Sequence, residues 1–270
     1  MLYLIATPIG NLEDITLRAL RLLKECDYIL CEDTRKAKIL LDHYKIKKPL
    51  KSYHKFSESK KLLNVINDLK SQLNIALISD GGSPLICDPG LLLVKKCIEN
   101  DLEYTCIPGA SSVINGLVLS GLSDERFQFM GFFPKKASEM TNMIHQMVLY
   151  SGVSLAFITP HNVIKILTAF HKHYPDKELV ILREMTKKFE EMIRGSSKEI
   201  IDHFSKNKCK GEMILAVQGF EKPSQEMPLK DMIILLQETC YLSEKEAIDL
   251  SAKIKKIPKK EIYKKIKIKK

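Results

Sequence analysis

Long apolar runs are missing from this sequence. Its hydrophobic stretches are on the scale of Leu155–Ile158, far below the ~20 residues a helix needs to cross a bilayer, so no membrane span is expected. The opening stretch MLYLIATPIG has no basic n-region, so no secretory signal peptide is expected and the expected location is the cytoplasm. Thiol pairs are missing too. The seven Cys, at positions 26, 31, 87, 97, 106, 209 and 240, form no CxxC and their number is odd. Several lie in apolar stretches such as 28–31, so they read as reduced core thiols rather than disulfides or a zinc site. The seven His have no metal-ligand spacing. His171 and His173 are too close in sequence to share a helix face, and no metal is expected. Neither the dinucleotide fingerprint GxGxxG nor the phosphate loop GxxxxGK[ST] occurs, which argues against a nicotinamide-binding Rossmann protein and a P-loop NTPase.

What is present is an ordinary core-forming chain. With 270 residues, 45% hydrophobic and 28% charged, it has room for one large or two modest domains. Lys and Arg number 43 against 33 Asp and Glu. The excess sits at one end: residues 251–270 hold ten Lys and a single acid, Glu261, leaving 33 basic and 32 acidic residues in 1–250. A cationic end on a neutral body suits a polyanion, most commonly nucleic acid. A solvated lysine-rich end gives the same composition.

The first 120 residues alternate short apolar runs with amphipathic periods. Strands are expected at 2–6, 28–31, 75–79 and 104–107. Helices are expected at 15–24 (with Asp14 as N-cap), 34–44, 57–73, 91–100 and 111–120. This alternation implies α/β architecture, a mainly parallel sheet with helices on both faces. Residues 123–136, with Phe127, Phe129, Phe132 and Phe133, read as a link between domains. A second α/β segment follows, with helices near 140–150 and 162–170, another opening near Ser196–Ser197, and strands at 155–158, 179–183, 190–193 and 213–218. After Gly219 the pattern is helical: 229–239, then 244–256 behind a Ser243/Glu246 capping box, then 259–266 with Pro258 at its first position. The expected division is 1–122, 123–220 and 221–270, the last a small helix-turn-helix-like appendage or a generic helical cap.

Ligands of open α/β sheets sit beyond the carboxyl ends of the strands, so the loops there are the candidate sites. After the first strand comes Thr7-Pro8-Ile9-Gly10-Asn11. After the second comes Glu32-Asp33-Thr34-Arg35, which fits a polar site, although acids at a helix start also serve as caps, the reading favoured by pattern alone. The stretch from Asp80 to Gly90 is long, and its paired glycines let a ligand approach the backbone. Pro108-Gly109-Ala110-Ser111-Ser112 places small residues at a helix start, for close ligand packing or for plain capping.

Read together and in order, LYLIATPIGNLEDITLRAL, CEDTRK, LISDGGSPLICDPG, CIPGASS and FMGFFPKK resemble the ribosomal RNA small subunit methyltransferase I family, a branch of the tetrapyrrole-methylase superfamily. The resemblance spans roughly residues 1–220 and extends weakly into the helical end. It implies two α/β domains of tetrapyrrole-methylase type with S-adenosylmethionine in the cleft between them, a homodimer, and methylation of the ribose 2′-oxygen of a cytidine in the decoding region of 16S rRNA, on free rRNA or on the small ribosomal subunit. Carried over to matching positions, it implies cofactor contacts from Pro8, Ile78, Ser79, Asp80, Ser83, Ser111, Ser112 and Ile158. Glu32, Asp33 and Arg35 become the catalytic candidates, the acids as base or hydroxyl-orienting groups. Lys135, Arg183 and Lys187 become the RNA-binding candidates, the last two within Arg183-Glu184-Met185-Thr186-Lys187.

One segment departs from the family. Where the family usually has FYESPHR, this chain reads Phe157-Ile158-Thr159-Pro160-His161-Asn162: the acid is missing and Asn162 takes the arginine position. A tetrapyrrole-precursor methyltransferase and a non-catalytic RNA-binding or assembly protein on the same fold are the alternatives. The basic end and the EDTR segment argue against the first. Asn162 is what makes the second thinkable.

Overall fold

The computed structural model describes residues 1–122, 125–206, 209–219, 228–240 and 242–267, with side chains left undescribed at 55–57, 238–240 and 265–267. Two compact units emerge. One is Met1–Asn115 together with Glu184–Glu190, and the other is Gly116–Arg183 together with Glu191–Lys270. The first unit is therefore discontinuous in sequence.

In the first unit, β1 (Leu2–Ile5), β2 (Tyr28–Cys31), β3 (Leu50–Ser52), β4 (Ile75–Ile78) and β5 (Tyr104–Ile107) form an all-parallel sheet in the order β3-β2-β4-β1-β5. β2 and β4 are buried at every position, as strands covered on both faces must be. Alternation along the strands sorts the core. Ile5, Ile29, Cys31, Ala76 and Ile78 face α1 (Leu17–Glu25) and α2 (Thr34–His43). Leu2, Leu4, Leu30 and Leu77 face α3 (Lys55–Lys70) and α4 (Leu91–Glu99). The unit also holds the first turn of α5 (Ser112–Ser120), whose remainder belongs to the second unit.

The second sheet is mixed. It is built from β6 (Phe127–Phe132), β7 (Val153–Ile158), β8 (Glu178–Arg183), β9 (Glu191–Ser196) and β10 (Met213–Gln218), in the order β6-β7-β10-β8-β9. Only β6 and β7 run parallel. α6 (Ala137–Leu149), α7 (Val163–His173) and α8 (Ser197–Lys206) close one apolar core on it around Ile144, Ile166, Phe170, Ile181 and Leu215. α8 opens with Glu199 accepting from both the backbone N–H and the hydroxyl of Ser196. Beyond it, α9 (Leu229–Cys240), α10 (Glu244–Lys255) and α11 (Lys259–Lys267) share a small core of Met232, Leu236, Ala247, Ile248, Ala252 and Ile262. The Ser243/Glu246 capping box is formed.

Several expectations change. Residues 123–136 are not merely a link: 127–132 form the edge strand β6, and Gly131, at φ +71°, accompanies a register shift between Phe129 and Phe132. The short strand β3 went unread because Leu-Lys-Ser carries almost no apolar signal. The cap of α1 is Thr16, whose hydroxyl accepts from Ala19 N at 3.1 Å, while Asp14 ends a 3-10 turn, Leu12–Asp14. Pro258 stands one residue before α11 rather than inside it. Cys26, Cys31 and Cys97 are buried, but Cys106 is exposed on the sheet edge β5. The stretch 220–227, part of the expected helical end, and Tyr241 lie outside the described residues. Among the described residues no helix is long and apolar enough to cross a membrane, and no group of three or more His, Cys, Asp or Glu could hold a metal ion.

Candidate active site

All strands of the first sheet point the same way, so the loops after β1, β2, β4 and β5 emerge at one sheet edge. The loop after β1 is bound to the loop after β4. Thr7 and Gly82 exchange backbone hydrogen bonds, N to O, at 3.0 and 2.8 Å. The buried Thr7 hydroxyl donates to Ser79 O at 3.1 Å, and the Ser79 hydroxyl donates to Gly82 O at 2.8 Å. Ser79 is thus a brace inside its own loop. Gly82 adopts φ +83°. A Cβ on Gly81 would lie 3.3 Å from Pro8 O, and one on Gly82 would lie 3.7 Å from Ala110 O. The loops after β1, β4 and β5 therefore meet closely, backbone against backbone at Gly81 and with the Ile9 side chain 3.4 Å from a Cβ on Gly82. At the β5 exit, a Cβ on Gly109 would fall 2.9 Å from that of Ala6. The Ser111 hydroxyl accepts from Ile114 N at 3.5 Å, capping α5, and Ser112 is the first residue of that helix.

The loop after β2 joins the same cluster through Asp80. Its carboxylate accepts from Asp33 N at 3.2 Å and pairs with Lys36 Nζ at 2.8 Å. Asp33 caps α2 by accepting from Arg35 N at 2.9 Å, and it also holds the Arg35 guanidinium with both oxygens, at 3.0 and 2.7 Å. The Arg35 guanidinium and the backbone N–H keep the Asp33 carboxyl far below the usual carboxylate range. Such a carboxylate is a poor proton acceptor. Half-buried Glu32, by contrast, has no hydrogen-bond or ion-pair partner among the described residues. Cys31 beside it is inert as a nucleophile. Burial, then the charges of Asp80 and Asp33, push its thiol up to about 11.

Two features escaped the sequence reading. Glu58, on α3, is buried, and its Oε1 accepts from Gly90 N and Leu92 N at 3.1 Å each. It fixes the far end of the long loop and the start of α4, where Gly90 sits at φ +123°. An acid in an amphipathic helix carries no mark of this in sequence. The second is the return of Glu184–Glu190 to the first unit. Gly10 packs so closely on it that a Cβ there would meet Lys187 Cγ at 2.5 Å, Thr186 Oγ1 at 2.6 Å and Met185 O at 2.8 Å. Glu184 and Thr186 both hold positive φ, +50° and +64°, a strained state for a β-branched residue. Glu190 accepts from Thr186 N at 2.6 Å, and Lys187 pairs with Glu184 at 2.9 Å.

Pro8, Ile78, Ser79, Asp80, Ser83, Ser111, Ser112, Glu32, Asp33, Arg35 and Lys187 all lie in the first unit. Ile158, Lys135 and Arg183 lie in the second. Ile158 is buried at the end of β7. Lys135 is exposed after β6, its carbonyl accepting from Lys165 Nζ at 2.9 Å. Arg183 is half-buried and pairs with Glu191 at 2.9 Å, which itself meets His203.

A doubly built α/β chain with its small-residue loops gathered at one sheet edge is the architecture of the Tetrapyrrole (Corrin/Porphyrin) Methylases, whose family profile matches residues 1–201. Among solved structures, the uroporphyrin-III C-methyl transferase of Thermus thermophilus, complexed with S-adenosyl homocysteine, superposes with a TM-score of 0.56 at 15% identity, covering 80% of this chain and 96% of that one. Among curated relatives, the ribosomal RNA small subunit methyltransferase I of Streptococcus pyogenes serotype M3 is 37% identical over 97% of this chain and 93% of its own length. The relative of the same name from Thermotoga maritima is 38% identical over 82% of this chain and 99% of its own length. The chain belongs to the ribosomal RNA small subunit methyltransferase I family, a family of methyltransferases.

Proposed function

We propose that this chain transfers the methyl group of S-adenosylmethionine to the ribose 2′-hydroxyl of a cytidine in the decoding region of 16S rRNA, as a homodimer in the cytoplasm. The observation that carries the reading is 37% identity over nearly the full length to a relative named for small-subunit rRNA methylation. The site chemistry agrees with it. Loops whose own residues at 81 and 82 carry no side chain suit the close approach of a flat nucleoside and its short tail. Pro8, Ile78, Ser79, Asp80, Ser83, Ser111, Ser112 and Ile158 would hold the cofactor, with Ser79 acting through the loop it braces.

When bound, S-adenosylmethionine supplies an electrophilic methyl group, so no covalent enzyme intermediate is required. The protein's task is to orient the ribose hydroxyl in line and exclude water. Glu32, which has no side-chain partner among the described residues, would accept or orient the hydroxyl proton. Asp33 fixes Arg35, and Arg35, Lys135 and Lys187 contact phosphates. Arg183, tied to Glu191, acts at most as part of that pair.

A second reading, a non-catalytic RNA-binding protein on the same fold, is favoured by the missing acid and Asn162 in the altered segment after β7. Labelled S-adenosylmethionine offered with undermethylated small subunits, free 16S rRNA and a tetrapyrrole precursor separates the readings. Label on a cytidine ribose of either RNA substrate supports the proposal. Label on the tetrapyrrole overturns it, and RNA binding without label on any substrate establishes the second reading.

A further inference from the structure

Beyond the site, the helical end presents a cationic surface that nothing above assigns. We infer that α10 and α11 form an accessory RNA-docking face that grips the substrate backbone through Lys253, Lys256, Lys260 and Lys264 and stacks a base on Tyr263. The inference rests on RNA being the substrate.

Four observations carry it. First, these lysines are exposed and, among the described residues, take part in no ion pair. Lys259, by contrast, pairs with Asp249 at 2.6 Å. Second, the face is organised. Ile262 of α11 is fully buried in the helical core. At 100° per residue, Lys260 and Lys264 fall on the side away from it, one turn apart. Tyr263, 40% exposed, stands beside them. A flat ring among phosphate-binding ammoniums is the pairing that single-stranded nucleic acid uses, base on ring and backbone on cation. An acidic protein surface has no use for the ring.

Third, folding does not ask for a cation at Lys260. α11 begins with Lys259 and Lys260, at the helix end where the macrodipole disfavours cations. Fourth, the segment is separable from the chemistry. The family profile ends at residue 201. The Thermotoga maritima relative is 99% covered by an alignment that takes up only 82% of this chain. A family member therefore does without a stretch about as long as the helical end.

The test uses the full chain with Lys253, Lys256, Lys260 and Lys264 all changed to Gln, and separately Tyr263→Ala. Each protein is assayed for binding to free 16S rRNA at several salt concentrations, for methyl transfer to the same RNA, and for S-adenosyl homocysteine affinity. The quadruple variant is expected to lose at least tenfold in RNA affinity at low salt, with the slope of log K against log salt shallower by about 2–3. Tyr263→Ala is expected to lose about five- to tenfold with an unchanged slope. Cofactor affinity and the turnover at saturating RNA should stay at the wild-type level. Wild-type RNA affinity and slope in the quadruple variant would overturn the docking face. A wild-type protein that binds RNA through these lysines yet transfers no methyl group would overturn only the enzymatic reading.

Discussion

The backbone N–H of Asp33 donates to the carboxylate of Asp80 at 3.2 Å, tying the loop after β2 to the loop after β4. Asp80 is also paired with Lys36, so one side chain holds α2 in place against the central loop. Asp80→Ala removes both contacts and is expected to weaken S-adenosyl homocysteine binding by more than tenfold in calorimetry. Asp80→Asn keeps an acceptor for Asp33 N and should lose less. Global stability should fall by only ~1 kcal/mol, since the ion pair is at the surface.

Glu32 and Asp33 are neighbours with opposite prospects. Glu32→Gln is expected to lower methyl transfer by ~10²–10⁴-fold with cofactor affinity unchanged. The folded Asp33 carboxyl titrates below the ordinary range, so its contribution is present above the ordinary value of ~4 and is lost only as pH falls through the lower folded one. An acidic limb in the rate profile at or above ~4 therefore does not belong to Asp33, and it should persist in Asp33→Asn.

Gly10 faces Met185 O, Thr186 Oγ1 and Lys187 Cγ at distances no Cβ tolerates. Because one of these atoms is backbone, Gly10→Ala must displace a loop. It should cost ~1–3 kcal/mol in denaturant unfolding and weaken cofactor binding, although Gly10 itself carries no functional group.

Glu58→Ala strands the N–H groups of Gly90 and Leu92 at the start of α4. The expected loss is ~1–3 kcal/mol. Glu58→Gln, which keeps an acceptor oxygen, should recover part of it in the same thermal melts.

His145 meets Tyr174 through a ring nitrogen and stacks edge-on against His173. Burial first, then the His173 charge, lower its pKa, opposed by Glu246. A lowered folded value means the unfolded chain takes up the proton first. Stability from this site is complete above the ordinary histidine range near ~6.5 and declines as pH falls through it. His145→Phe, which cannot be protonated, should flatten the fall in Tm between neutral pH and pH 5.

The first sheet was the more legible half of the fold. β2 was placed to the residue because a buried parallel strand is a continuous apolar run, and β5, an edge strand with only Ile107 buried, was bounded by the Pro-Gly turn that follows it; TPIG, SDGG and PGAS punctuate the strand ends. β3 and β6 were harder. An edge strand need not alternate cleanly, and the bulge at Gly131 breaks what alternation Phe127 and Phe129 began. The site loops could be located because glycine, proline and acid cluster there. Which acid keeps its carboxylate available could not be read. That depends on Arg35 folding back onto Asp33 and on Asp33 N–H reaching Asp80, a contact across 47 residues. Glu58 was invisible for the same reason, its partners lying 32 and 34 positions away.

The seven residues 184–190 that brace Gly10 have a consequence for biosynthesis. A chain emerging from the ribosome N-terminus first can close the parallel sheet once β5 is out. Its first loop, bonded to the loop after β4 through Thr7 and Gly82, still lacks the packing around Gly10 until the strand β8 and the turn beyond it have also been made. The opening loop is thus finished by a segment translated near the two-thirds mark, and a nascent chain halted before residue 184 would have its sheet and the Thr7–Gly82 bonds but not the packing around Gly10.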